Sequence, residues 1–413
     1  MRPVLVRLVA ATVPAAFLTG PLVAAPVAAT PPPAVGTTTP MAAGSCEEGR
    51  TQYVPDTPPG LLRLGATRAW PLATGAGVTV AVVDSGVDAR NDHFPGGTVL
   101  EGRSLVGGSA RADRRLHGTA VAGIIAARPL GSRSGVQGLA RGARILPVKV
   151  VPDESREEGT GDADPGVLAE GIRWAADEGA LVVNVSLSTP RDDARLRKAT
   201  EYALGKGSLV VAAAGNRASD DDPEGGVRYP AAYPGVLGVA ATDGDDRVSD
   251  VSLRGEHVDL AAPGVDVLTT YGAWGDCYLG AEGATSYAAA YVSAAAALVA
   301  QRFPRSGPEA WAHRLTATAA RDRRDARDDA VGWGVVQPVE ALTAVLDDSV
   351  AGPLLPGAAP RETEAAPVRR LTVEPVADPL AGDRRTVLWL VVAGTSLLLG
   401  LALRRVGRRR AGA

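Results

Sequence analysis

Three side chains in this sequence belong to the types that together cleave amide or ester bonds. Asp84 offers a carboxylate, His117 an imidazole and Ser286 a hydroxyl. In acyl transfer a serine hydroxyl attacks the carbonyl carbon, a histidine accepts its proton, and an acid holds the histidine in the productive tautomer. The sequence therefore predicts a catalytic triad, provided that the fold brings these distant positions together.

The residues around each candidate predict how the fold would present it. Asp84 ends an apolar run and precedes a glycine turn, which places its carboxylate where sites form in α/β sheets. His117 opens a segment of small residues that predicts a helix packed close to neighbouring backbone. Ser286 precedes an alanine-rich run, so it would lie at a helix N-terminus, where the helix dipole stabilises negative charge.

Asn216 is the candidate for stabilising an oxyanion. It follows Gly215 at the end of another apolar run, and its amide would donate alongside the backbone N–H of Ser286. Taken singly, Asp84 and Asn216 are also ordinary turn residues. Their occurrence together with a histidine motif and a serine motif favours the catalytic interpretation.

The segment 61–346 alternates short β-branched runs with alanine-rich amphipathic runs, a pattern typical of βαβ units around a parallel sheet. The predicted fold class is therefore α/β. The predicted strands cover 78–84, 145–150, 181–187, 209–213 and 236–240. The predicted helices cover 117–127, 167–177, 193–204 and 286–303.

Composition limits the chemistry that this chain could perform. Four histidines and two cysteines in 413 residues cannot supply a multi-cysteine zinc framework, so we expect neither a metal site nor a cofactor. The formal net charge is −3 and becomes about −10 without the terminal arginines discussed below. A nucleic-acid partner is therefore not expected.

The N-terminus predicts export. Residues 1–29 combine Arg2 and Arg7 with an apolar run and a small-residue cleavage pattern, which is typical of a secretory signal peptide. An uncleaved anchor is the alternative, although prolines interrupt the apolar run. Residues 30–60 are rich in proline, threonine and alanine and predict an extended N-terminal arm.

The C-terminus predicts a membrane anchor. Residues 347–385 form a proline-rich spacer, 386–403 carry no charge, and 404–413 contain five arginines. Because arginines are retained on the cytoplasmic side, we expect a single-pass protein of the cell membrane with a cytoplasmic C-terminus. Its catalytic part would then be extracellular.

Cys46 and Cys277 are the only cysteines of the chain. Disulfides persist in exported proteins, so the two residues are predicted to form a bridge that ties the arm to the segment before Ser286. Two free thiols are the alternative.

The motifs around Asp84, His117, Asn216 and Ser286 resemble those of the subtilisin-like (S8) serine peptidase family, whose chain order is acid, histidine, serine. The resemblance covers about 61–346. It implies a three-layer fold with a mostly parallel central sheet and an oxyanion role for Asn216. It also implies that Ser186, Leu187 and Ser188 pair with substrate backbone as an added strand.

The signal peptide, short arm, proline-rich spacer and single C-terminal span resemble those of the mycosins, subtilisin-like peptidases associated with type VII secretion. This resemblance implies a protein or peptide substrate and, as partners, membrane components of a type VII secretion system. A catalytically weak or silent scaffold in such a complex is the alternative function. A lipid or ester hydrolase is disfavoured because no Gly-x-Ser-x-Gly motif surrounds Ser286.

One departure from the family pattern lies two residues before the nucleophile. Ala284 stands where a glycine is usual. If the backbone there requires a positive φ, the alanine methyl would clash and weaken the activity.

Overall fold

The computed structural model describes residues 46–153, 164–217, 226–281, 283–347, 350–353 and 380–410. The predicted signal peptide at 1–29, the first part of the arm and most of the spacer at 347–385 lie outside these residues. The chain divides into two compact units, Met1–Ala358 and Ala359–Ala413.

The first unit is built on a seven-stranded sheet in which every neighbouring pair is parallel, in the order β2-β3-β1-β4-β5-β6-β7. A separate antiparallel hairpin, β8-β9, follows it. The strands are β1 Thr79–Asp84, β2 Arg103–Ser104, β3 Arg144–Lys149, β4 Val182–Val185, β5 Leu209–Ala213, β6 Leu237–Thr242, β7 Leu260–Pro263, β8 Val267–Thr270 and β9 Asp276–Leu279. The five predicted strands are all present, with ends shifted by at most two residues.

Eight helices surround this sheet or cap its ends in the described part of the first unit. They are α1 Pro59–Arg63, α2 Ala66–Ala69, α3 His117–Ala126, α4 Pro165–Asp177, α5 Ala194–Gly205, α6 Thr285–Arg302, α7 Gly307–Ala317 and α8 Pro338–Thr343. The four predicted helices correspond to α3, α4, α5 and α6. Sequence periodicity does not predict α1, α2 or α8, because helices of four to six residues are too short to show it.

Both faces of the sheet are covered, which explains why its strands are almost wholly apolar. Successive side chains of a strand point to opposite faces, so Val80 and Val82 pack with α3 and α6, whereas Ala81 and Val83 pack with α4 and α5. The result is a helix–sheet–helix arrangement in three layers. The predicted α/β class with a mostly parallel central sheet is confirmed.

The N-terminal arm enters the described structure at Cys46 and runs along the hairpin. Cys46 and Cys277 form a disulfide whose Cα atoms are 6.0 Å apart. Gln52 bridges to Gly275, and the backbone N–H of Val54 donates to the buried Asp276 carboxylate at 2.9 Å. The arm is therefore attached to the body by covalent and backbone contacts.

The second unit contributes one long helix, α9 Ala381–Arg410. It begins five residues before the predicted span and continues into the arginine tail. Among the described residues, 382–405 form the one helix long and apolar enough to cross a membrane, and none of that stretch is buried within the protein.

Replacing both cysteines, Cys46→Ser and Cys277→Ser, is expected to lower the free energy of unfolding by about 2–4 kcal/mol, because the bridge constrains the unfolded chain. Chemical denaturation of the detergent-solubilised chain measures this loss. Cys46→Ser alone should cost as much as the double change. Two free thiols in the untreated protein, or an unchanged unfolding midpoint in the double variant, would contradict the expectation.

Candidate active site

The structure brings Asp84, His117 and Ser286 into hydrogen-bond contact at the carboxyl edge of the sheet. His117 Nδ1 lies 2.8 Å from Asp84 Oδ1 and 3.0 Å from Oδ2. On the other side of the ring, Nε2 lies 3.0 Å from Ser286 Oγ. Asp84 is the last residue of β1, His117 the first of α3 and Ser286 the second of α6. Two helix starts therefore meet one strand end.

Close packing between α3 and the turn after β1 depends on glycine at position 118. A Cβ atom there would lie 2.1 Å from the Gly86 carbonyl oxygen and 3.1 Å from Asp84 Cβ. Real side chains do not approach so closely. Gly118 therefore allows α3 to approach β1 near enough for the imidazole to reach the carboxylate.

Asp113 organises the turn that leads into His117, and sequence reasoning did not identify it. This buried carboxylate accepts hydrogen bonds from the backbone N–H groups of Arg115, Leu116 and Thr119, and from the Thr119 hydroxyl at 2.7 Å. Leu116, immediately before His117, has a φ of 65°. The Asp113 bonds hold this left-handed conformation, which a leucine seldom adopts.

Ser85 connects this turn to the triad. Its Oγ lies 2.9 Å from Asp113 Oδ1 and 3.2 Å from Asp84 Oδ1, and it accepts the Gly118 N–H at 3.0 Å. Burial raises the pKa of Asp113, and the neighbouring charge of Asp84 raises it further. Ser85 thus lies between the Asp84 and Asp113 carboxylates.

Charge around His117 adjusts its basicity. Burial by itself would lower the pKa of the imidazole, but the charge and hydrogen bond of Asp84, with a smaller contribution from Asp113, raise it above the ordinary value of 6.5. An imidazole of increased basicity accepts a serine proton more readily.

Asn216 lies beside the N-terminus of α6, where sequence reasoning places it. Its Oδ1 accepts hydrogen bonds from the Thr285 backbone N–H at 3.0 Å and from the Thr285 hydroxyl at 2.9 Å. The same hydroxyl accepts the Gly215 N–H at 3.2 Å. With Oδ1 held in this way, the amide Nδ2 of Asn216 is directed away from Thr285.

The backbone carbonyl of Ala214, just before Gly215, is hydrogen-bonded to a histidine. His257 Nε2 lies 3.1 Å from the Ala214 carbonyl oxygen, and burial lowers the pKa of this histidine. A neutral His257 donates from Nε2 to that carbonyl. The loop that carries Asn216 is therefore held from both sides, by Thr285 and by His257. Sequence reasoning assigned His257 a surface or packing role and predicted neither contact.

Ala284 has a backbone conformation that needs no glycine. Its φ is −150° and its ψ is 129°, an extended conformation open to any residue. The expectation that its methyl would clash depended on a positive φ and is therefore wrong.

The proposed substrate segment follows β4 directly. Ser186 is buried and its hydroxyl donates to the Ser286 carbonyl at 3.1 Å, whereas Leu187 and Ser188 are partly exposed. Thr189 then forms a two-bond antiparallel bridge with Tyr229. The segment from Ser186 to Ser188 thus passes beside the nucleophile before the chain returns to the body.

Comparison with known proteins agrees with this geometry. Residues 75–334 match the Subtilase family of S8 peptidases. Mycosin-1 of Mycobacterium tuberculosis (strain ATCC 25618 / H37Rv) is 37% identical over 396 residues, which cover 84% of this chain and 84% of that protein. Subtilisin Savinase of Lederbergia lenta is 38% identical over 232 residues, covering 56% of this chain and 79% of that protein.

Solved structures add to the likeness. The MycP3 protease from the type VII (ESX-3) secretion system superposes with a TM-score of 0.62 at 32% identity, covering 73% of this chain and 90% of that one. A chain of an intact ESX-5 inner membrane complex superposes with a TM-score of 0.64 at 28% identity, covering 86% of this chain and 92% of that one. The chain belongs to the subtilase family, and it is a serine endopeptidase with a subtilisin-like fold.

Proposed function

We propose that this chain is a membrane-anchored, extracellular peptidase of mycosin type that hydrolyses peptide bonds through Asp84, His117 and Ser286. The observation that carries the proposal is the continuous pair of hydrogen bonds from the Asp84 carboxylate through both ring nitrogens of His117 to Ser286 Oγ. A hydroxyl, a base and an orienting acid in this order are what acyl transfer needs.

Each member of the triad has a defined task. Neutral His117 donates its Nδ1–H to Asp84 and accepts the Ser286 proton at Nε2 while Ser286 Oγ attacks the peptide carbonyl. Asp84 stabilises the imidazolium that forms. The same imidazolium then gives its proton to the leaving amine, and a water molecule activated by His117 hydrolyses the acyl-enzyme.

The negative charge of the tetrahedral intermediate falls on the former carbonyl oxygen. Asn216 Nδ2 and the backbone N–H of Ser286 donate to this oxygen, and the N-terminus of α6 adds the favourable end of its dipole. Because Thr285 already holds the Asn216 amide in place, the donor needs no rearrangement as the charge develops.

The membrane assignment rests on α9 and its charges. The apolar stretch 382–405 is followed by further arginines, which favour a cytoplasmic C-terminus and hence an external peptidase unit. The disulfide between Cys46 and Cys277 agrees with an oxidising compartment.

Association with type VII secretion is proposed from likeness. The match to Mycosin-1 covers 84% of this chain and 84% of that protein. The match to the ESX-5 complex chain covers 86% of this chain. A silent scaffold in such a complex is the alternative. The departure at Ala284 and the family's link to a secretion machine both allow this alternative, and the extended backbone at Ala284 removes the first of these grounds.

Labelling with a fluorophosphonate probe tests the nucleophile. The wild-type chain is expected to form a stable adduct on Ser286, because His117 activates that hydroxyl, and Ser286→Ala should abolish it. Intact mass and mapped peptides give the modified residue. Ser208→Ala removes a buried serine hydroxyl at the start of β5 and should keep the Ser286 adduct. An unlabelled, folded wild type would favour the scaffold, and an adduct on another residue would reject this triad.

Asp84→Asn tests the imidazole. Because Asp84 raises the pKa of His117, and only neutral His117 accepts a proton, the acid limb of kcat/KM lies above pH 6.5 in wild type. The variant should move this limb to lower pH and reduce kcat by about 10⁴-fold, since the amide stabilises the wrong tautomer.

Asp259→Asn makes the same chemical change at a half-buried carboxylate that accepts the Gly238 N–H, just before β7. The acid limb of kcat/KM for Asp259→Asn should lie at the same pH as that of wild type. An unmoved limb in Asp84→Asn would contradict the assigned role of Asp84.

Asn216→Ala tests the oxyanion donor. The change should lower kcat by about 10²–10³-fold with little change in KM, because the lost hydrogen bond forms with the oxyanion and not with the ground-state carbonyl. Steady-state kinetics on a peptide substrate separate the two constants. A rise in KM at constant kcat would instead indicate a role in substrate binding alone.

A further inference from the structure

Asn184 is a polar residue in the middle of an otherwise apolar strand. It belongs to β4, which lies between β1 and β5, and it is 0% exposed. A buried amide without partners costs free energy, so its hydrogen bonds show what it contributes. The mechanism described above assigns it no task.

Its partners form a chain of hydrogen bonds that ends on the nucleophile. Ser293 Oγ donates to Asn184 Oδ1 at 2.8 Å, and Asn184 Nδ2 donates to Ser186 Oγ at 2.7 Å. Ser186 Oγ then donates its proton to the carbonyl oxygen of Ser286 at 3.1 Å. All of these groups lie in buried residues.

The direction of the chain follows from the chemistry of its members. An amide oxygen only accepts and an amide nitrogen only donates. Turning the Asn184 amide around would present Oδ1 to Ser186, whose single proton would then leave the Ser286 carbonyl. One orientation alone therefore serves all three serines.

The two ends of the chain meet the same helix. Ser286 and Ser293 are seven residues apart on α6, hence on one face two turns apart. Asn184 is thereby linked to α6 at two positions. It bonds directly to Ser293, and through Ser186 it is connected to the Ser286 carbonyl. Rotation or sliding of α6 against the sheet would break one link or the other.

We propose that Asn184 is a positioning residue: with Ser293 and Ser186 it fixes the first turn of α6, and so holds Ser286 Oγ at the distance that His117 requires. It touches neither substrate nor the reacting atoms. Because Ser186 also begins the proposed substrate segment, the same chain of bonds sets the separation between nucleophile and bound peptide. This proposal rests on the proposed function of Ser286.

Ser293→Ala is the main test, because it removes the far donor without altering the triad, the oxyanion donors or the substrate segment. We expect the second-order rate of fluorophosphonate labelling, and kcat on a peptide, to fall about tenfold while KM stays constant, since small displacements from attack geometry are costly. Asn184→Asp, which cannot donate to Ser186, should lose more. The doubly changed Ser186→Ala, Ser293→Ala chain should lose no more than Ser186→Ala alone, because both changes break one chain.

Ser208→Ala is the matched control. Ser208 is 2% exposed and donates to the Ala180 carbonyl at 2.7 Å at the start of β5, so the change removes a comparable buried hydroxyl at the opposite edge of the sheet from Ser286. It should lower the melting temperature as much as Ser293→Ala and leave the labelling rate unchanged.

The outcomes separate this proposal from the one on which it rests. If wild type labels and Ser293→Ala and Asn184→Asp label at the same rate, with only their melting temperatures lowered, the hydrogen-bond chain is structural and the positioning role is rejected. If folded wild type does not label at all, the peptidase function of Ser286 fails, and the positioning role fails with it.

Discussion

The meeting of α3 and α6 at the carboxyl ends of β1 and β4 is the constraint on which the rest of this molecule depends. In a parallel sheet covered on both faces, the side chains that meet a ligand lie at the carboxyl ends of the strands. Asp84 ends β1, Ser186 follows β4 and Asn216 follows β5, so all three reach the same edge. Chemistry at this edge then needs only two helix starts to deliver a base and a nucleophile.

Holding those helix starts requires buried polar groups, and each of them is satisfied in a specific way. Asp113 accepts hydrogen bonds from backbone N–H groups of the turn before α3, and Asn184 accepts one from a serine hydroxyl of α6. The Thr285 hydroxyl donates a hydrogen bond to the amide oxygen of Asn216. An unpartnered polar atom in such an interior is costly, so these bonds favour one arrangement over its neighbours.

The same principle extends to the N-terminal arm. Asp276 is fully buried at the start of β9 and accepts from Val54 and from the Ser134 hydroxyl, while His93 Nε2 lies 2.8 Å away. Cys277, the next residue, carries the disulfide to Cys46. The arm therefore completes a polar cluster that the body would otherwise leave open, which explains why a segment of low periodicity is well attached.

Much of this could be predicted because it depends on local properties of the chain. Apolar β-branched runs and alanine-rich runs determine where five strands and four helices form, since periodicity and burial act over short distances. These elements are β1, β3, β4, β5, β6, α3, α4, α5 and α6. Composition alone predicts an apolar span at 386–403, which lies within the observed helical stretch 382–405. Residue types and their order suggested Asp84, His117, Asn216 and Ser286.

Only the tertiary structure decided how these parts meet. That Thr285 orients Asn216, that Ser85 meets Asp113, and that Asn184 supports the start of α6 are contacts between residues far apart in the chain. No periodicity encodes such contacts, because they arise when separate elements pack and their buried polar groups must find partners. The chain by itself determined which side chains take part, and packing decided their distances and orientations.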